Sequence, residues 1–96
     1  MLESTFKTNL IQEIRERMPG SMIFHLDPRE CRGIPDLIVL YKDKWAALEG
    51  KQHGYSSKRP LQDYYVNQMN EMSFARFIDQ DNKEEVLDDL VRSFGA

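Results

Sequence analysis

Three charged residues interrupt the most apolar part of this 96-residue chain. They are Asp36, Glu49 and Lys51, within GIPDLIVLYKDKWAALEGK, residues 33 to 51. The flanking runs IPDLIVLY and KWAALEGK are β-prone and joined through Lys42-Asp43, which predicts an antiparallel hairpin. Lys-Asp is not a favoured pair for a two-residue turn, so a longer turn stays open beside the two-residue one. Side chains alternate faces along a strand, so Glu49 and Lys51 share a face. With the turn near residues 42 and 43, Asp36 falls opposite residue 49 or 50. Two carboxylates and an amine thus converge at the end of the hairpin far from its turn.

A buried carboxylate is costly unless it is paired or coordinates a cation. Two carboxylates on adjacent strands suit a hard divalent cation such as Mg²⁺ or Mn²⁺, with the Gly50 carbonyl as a further oxygen. A neighbouring lysine can orient the attacking water and offset the charge that develops on a phosphate. The chemistry these types support is metal-assisted phosphodiester hydrolysis. The plainer account is a salt bridge between Lys51 and one or both acids.

The elements that must position these residues follow from periodicity. ESTFKTNLIQEIRERM predicts a first helix, with Leu2, Phe6, Leu10, Ile14 and Met18 at i+4 and Ile11 widening the stripe. Pro19-Gly20 ends it. SMIFHLD is a short first strand, followed by the polar loop PRECRG and the hairpin. After QHGYSSKRP, Pro60 opens the helix PLQDYYVNQMNEM, whose apolar stripe is expected to be Leu61, Tyr65, Met69 and Met72. SFARFID is a fourth strand. Asp81 or Asn82 then caps a helix with Val86, Leu87, Leu90, Val91 and Phe94 on one face. The expected order is α-β-β-β-α-β-α: one α/β domain over residues 1–96, with a mixed sheet of about four strands flanked by helices.

Here the residues resemble a known family. Pro35-Asp36 followed by Glu49-Gly50-Lys51 is similar to the core motif of PD-(D/E)XK nucleases, and G-x-P-D-L with a downstream helical glutamine resembles its VRR-NUC branch. Glu3, ahead of Phe6 and Leu10, matches the acidic residue of that family's first helix, and Gln62 its helical glutamine. The family commonly has a serine two residues before that glutamine, whereas Ser57 lies further back here. The resemblance implies a restriction-endonuclease-like fold and a Mg²⁺- or Mn²⁺-dependent deoxyribonuclease. Asp36 and Glu49 would be metal ligands aided by Glu3, with Lys51 on the nucleophilic water and Gln62 supporting Lys51 or that water. Small stand-alone phage and bacterial members imply a homodimer acting on branched DNA such as Holliday junctions. Flap or single-strand-end cleavage is the alternative within enzymes. A catalytically silent nucleic-acid-binding module, or a structural protein whose charged hairpin is a salt-bridge cluster, is the alternative outside them.

Composition is compatible with these readings. Net charge is −3, but Arg29 to Arg59 holds seven Lys or Arg against four acids, while Asp79 to Arg92 holds six acids against two bases. A basic middle leaves nucleic acid open as a partner. Arg29 and Arg32 before the Asp36 strand, and His53, Lys58 and Arg59 after Lys51, are candidate phosphate contacts. Their alternative is a solvated basic loop. Tyr55 is a candidate for stacking on a base, and Tyr64 and Tyr65 for core or interface. His25 and Cys31 lack zinc spacing. Glu13 and Glu16 read as solvated surface. No apolar run spans a bilayer, no leader is apparent, and the single cysteine suits a reducing compartment, so the expected location is the cytoplasm of a bacterial or phage-infected cell.

Overall fold

A computed structural model describes residues 4–50 and 60–96 of the chain. Seven elements occur in the expected order: α1 (Ser4–Arg17), β1 (Met22–His25), β2 (Leu37–Tyr41), β3 (Lys44–Gly50), α2 (Pro60–Met72), β4 (Phe74–Ile78) and α3 (Lys83–Phe94). The strands form one mixed sheet in the order β1-β2-β3-β4, antiparallel for the first two pairs and parallel for β3 with β4. The hairpin makes β2 and β3 neighbours. The crossover through α2 is what allows β4 to run parallel to β3.

The hairpin turn is the two-residue one. Tyr41 pairs with Lys44, leaving only Lys42 and Asp43 in the turn. Lys42 takes a φ of 56°, the left-handed conformation that glycine or asparagine usually supplies. The apolar pattern of both strands, fixed by the core, overrides the local turn preference.

The two faces of the sheet are covered by different helices. Leu10, Ile14 and Met18 of α1 and Val86, Leu87, Leu90 and Phe94 of α3 pack on the face bearing Leu37, Val39, Ala46 and Leu48. Arg17 donates to Glu84 and Asp88, both at 2.7 Å, and Lys83 meets Glu13 at 2.6 Å, bracing α1 against α3. Glu13 is therefore an inter-helix contact rather than the solvated residue its position suggested.

The opposite face carries Ala47, Ala75, Trp45 and Phe77 and receives Val66 and Met69 of α2. This corrects the expected stripe on that helix. Leu61 and Met72 are exposed, and the sheet-facing line runs through Val66 and Met69 instead. Alanines at 47 and 75 leave room for only a short side chain, which the branched Val66 fills.

The turn between β4 and α3 differs from the expectation too. Asn82 sits at the N-cap of α3 but makes no side-chain cap bond. Its amide reaches back instead, accepting from Asp79 N–H at 2.8 Å and donating to Phe77 O at 3.0 Å. Gly95 ends α3 with φ 68°, and the N–H groups of Gly95 and Ala96 return to Arg92 O and Val91 O. No helix of the described residues is long and apolar enough to cross a membrane.

Candidate functional site

The pairing register brings Asp36 and Glu49 together. Leu37 pairs with Leu48, so the next step along the ladder sets Asp36 against Glu49. Asp36 lies one residue before β2 begins, rather than within it. Its Oδ2 accepts a 2.8 Å hydrogen bond from Gly50 N–H, which ties the start of β2 to the end of β3. Leu26 N–H donates to Asp36 O at 2.9 Å and anchors the same residue from β1's side. Asp36 is thus held by backbone on both flanks.

Glu49 is only 1 % exposed. Its Oε2 accepts no hydrogen bond from the described residues. Burial, a hydrogen bond to the Asp36 carboxyl and the Asp36 charge together push the Glu49 pKa up to about 8. Two carboxyl groups this close cannot both ionise cheaply, so a proton is retained between them. A divalent cation with oxygen preference fits such a pair: two opposed carboxyl groups, one of whose oxygens, Glu49 Oε2, is buried without a hydrogen bond from the described residues, are the donor set. Gly50 contributes its N–H to Asp36 in this arrangement, a role that no local pattern marks.

Gln62 belongs to the same face. Val66 packs on Ala47 and Ala75, with Met69 beside Trp45 in the same cluster. Gln62, partly buried, lies one helical turn before Val66 and so on the same side of α2. By contrast α1, which follows Glu3, packs on the other face of the sheet. Glu3, Lys51, His53, Lys58 and Arg59 lie outside the described residues, as does Tyr55. Among the described residues no group of three or more His, Cys, Asp or Glu side chains converges, so two carboxyl groups are the whole described ligand set.

The loop before Asp36 is clamped to the first turns of α2. Gly33 has a φ of +87°, and a Cβ there would lie 2.6 Å from Leu61 Cβ and 3.2 Å from the Leu61 carbonyl carbon. That carbon is bonded to the nitrogen of Gln62. Cys31 Sγ and Tyr65 Oη meet at 3.2 Å one turn further along. Nothing in the loop's composition marked Cys31 or Tyr65 for this contact. Arg29 and Arg32 lie on the same loop, at the carboxylate end of the sheet as expected. Arg29 is bound to Asp27, with a 3.0 Å ion pair, while Arg32 is exposed.

No family model, curated protein or solved structure matches this chain. The class defined by the coordinates is an α/β domain with a four-stranded mixed sheet and an opposed carboxyl pair at one end of its central hairpin.

Two outcomes follow. Because the folded Glu49 binds its proton more tightly than the unfolded one, the folded state holds more protons between about pH 4.5 and 8. Stability of the metal-free protein should therefore fall as pH rises through that window, on the order of 1 kcal/mol per pH unit. Urea denaturation at several pH values reads this, and Glu49→Gln should flatten the dependence; a wild-type profile that rises or stays level would contradict the burial. Secondly, Gly33→Ala should cost about 1–3 kcal/mol, through a strained φ and the clash with Leu61. An unchanged denaturation midpoint would show that the loop and α2 are not in close contact.

Proposed function

We propose that this protein is a divalent-metal-dependent endonuclease that hydrolyses DNA phosphodiesters and selects branched DNA such as four-way junctions. The observation that carries the reading is the buried, opposed Asp36–Glu49 pair, whose excess negative charge a cation would relieve. The sequence resemblance to VRR-NUC nucleases, and to a restriction-endonuclease-like fold, supplies the reaction class and the substrate preference. The element order and mixed sheet are compatible with both.

Asp36 and Glu49 would hold Mg²⁺ or Mn²⁺, which when bound supplies Lewis-acid polarisation of a phosphate oxygen and a more acidic water. The chain's own residues do the rest. The Gly50 N–H fixes the Asp36 carboxyl so that it does not reorganise during the reaction. Lys51, two residues beyond Glu49, would orient the nucleophilic water and offset the charge growing on the phosphate. Gln62, near the start of α2, would hold Lys51 or that water through its side-chain amide. Arg32, exposed on the neighbouring loop, offers a contact to the phosphate backbone.

The test incubates the protein with labelled four-way junction, flap and linear duplex in Mg²⁺, Mn²⁺ or EDTA. Cleavage should require metal and favour the junction. Asp36→Asn, Glu49→Gln and Lys51→Ala should each lower the rate on the order of 100-fold or more while the circular dichroism spectrum is kept. Wild-type rates in folded Glu49→Gln, or cleavage in EDTA, would overturn the metal site. Binding that persists in EDTA with no cleavage in either metal would identify a silent nucleic-acid-binding module instead.

A further inference from the structure

The two edges of the sheet are finished differently. On β4, residues 75, 77 and 79 turn backbone groups outward, and side chains of the same chain meet them. Asn70 Oδ1 accepts from Ala75 N–H at 3.1 Å, and Arg76 Nη1 donates to Ala75 O at 2.9 Å and also to Asn70 Oδ1. Asn82 takes Phe77 O and Asp79 N–H in the same way. The Arg76 guanidinium lies over the Phe74 ring, 4.2 Å from its centroid, which helps hold it at the edge. Such a covered edge cannot template a further strand.

On β1 no side chain of a described residue does this. Leu26 N–H bonds Asp36 O, and Phe24 pairs with Ile38, so residues 22, 24 and 26 turn their backbone toward β2. Ile23 and His25 therefore present N–H and C=O groups outward. Met22 and Phe24, 56 % and 46 % exposed, project from this edge onto the face that carries Asp36 and Glu49. The segment SMIFHL, residues 21 to 26, holds no Asp, Glu, Lys or Arg that would repel a copy of itself.

We propose that β1 pairs with β1 of a second copy of this chain, antiparallel, across a two-fold axis passing beside Phe24. In that register Ile23 and His25 of one protomer exchange both backbone hydrogen bonds with His25 and Ile23 of its partner, satisfying every outward group of the strand. The two Phe24 rings meet on the axis, and each Met22 faces a Leu26. The segment is complementary to itself, as a two-fold interface requires. A four-residue edge buries less than the roughly 800 Å² per partner of a tight complex, so association falls in the micromolar range.

The pairing joins two sheets of four strands into one of eight and sets both carboxyl pairs on the same face. With strands about 4.8 Å apart and a rise of about 3.4 Å per residue, the two pairs lie about 20–25 Å apart. Resting on the proposed nuclease function, this arrangement lets one branched DNA molecule meet both sites at once.

The experiment needs neither DNA nor metal. Sedimentation velocity from about 1 to 200 µM should show wild type passing from monomer to dimer, while Phe24→Glu, which opposes two carboxylates on the axis, stays monomeric and folded. In a Cys31→Ser background, Phe24→Cys should form an inter-chain disulfide on mild oxidation, because opposed residues of a non-hydrogen-bonded pair have Cα atoms about 4.5 Å apart. Met72→Cys, on exposed α2, should not. A wild type that stays monomeric throughout, a Phe24→Glu variant that dimerises normally, or equal cross-linking through Met72→Cys would overturn the pairing. Lack of nuclease activity in a β1-paired dimer would remove only the consequence for DNA, and cleavage by a monomer would leave the carboxyl site standing without the assembly.

Discussion

The fold is organised around an interaction that is unfavourable by itself: Glu49, buried against Asp36 on the adjoining strand. Two carboxyl groups in a dry sheet end repel one another and lose hydration, so the surrounding structure must impose their meeting. The hairpin register does so, since Leu37 against Leu48 sets Asp36 opposite Glu49 at the next step of the ladder. A slip of one residue would turn one strand's set, Leu37 and Val39 or Ala46 and Leu48, away from the core cluster with α1 and α3. The apolar face thus holds in register what the polar face could not hold unaided.

On the carboxyl face, small residues make the approach of α2 possible. Ala47 and Ala75 admit Val66, and Gln62 lies one turn earlier on the same side of α2. Gly33 lets the preceding loop press against Leu61, the residue before Gln62. The loop that leads into Asp36 and the start of α2 are therefore joined by one close contact.

Much of this was legible in the residues. Alternation along two strands and the position of the turn narrow the partner of Asp36 to residue 49 or 50, and the register of the strands then decides for Glu49. The element order follows from apolar spacing and from Pro19-Gly20 and Pro60. What was not legible depends on contacts between distant segments. The sheet-facing line of α2 ran through Val66 rather than Leu61 and Met72, because the alanines opposite decide which side chains fit. Lys42 accepts a left-handed turn because the strands on either side demand it. Asn82 turns back to β4 instead of capping α3, since Phe77 O and Asp79 N–H at the sheet edge compete for its amide. The Gly50 N–H bond to Asp36, and the Cys31–Tyr65 contact, have no counterpart in local pattern at all.

The central claim is that a divalent cation supplies what the Asp36–Glu49 pair lacks. Calorimetric titration of Mn²⁺ into the protein at pH 7, in buffers of differing ionisation enthalpy, tests it directly. Free Glu49 keeps its proton at that pH, and coordination requires it to leave. The account predicts binding with release of about one proton at pH 7 and of almost none at pH 9, with both binding and release lost in Asp36→Asn. No binding, or binding without proton release at pH 7, would contradict it.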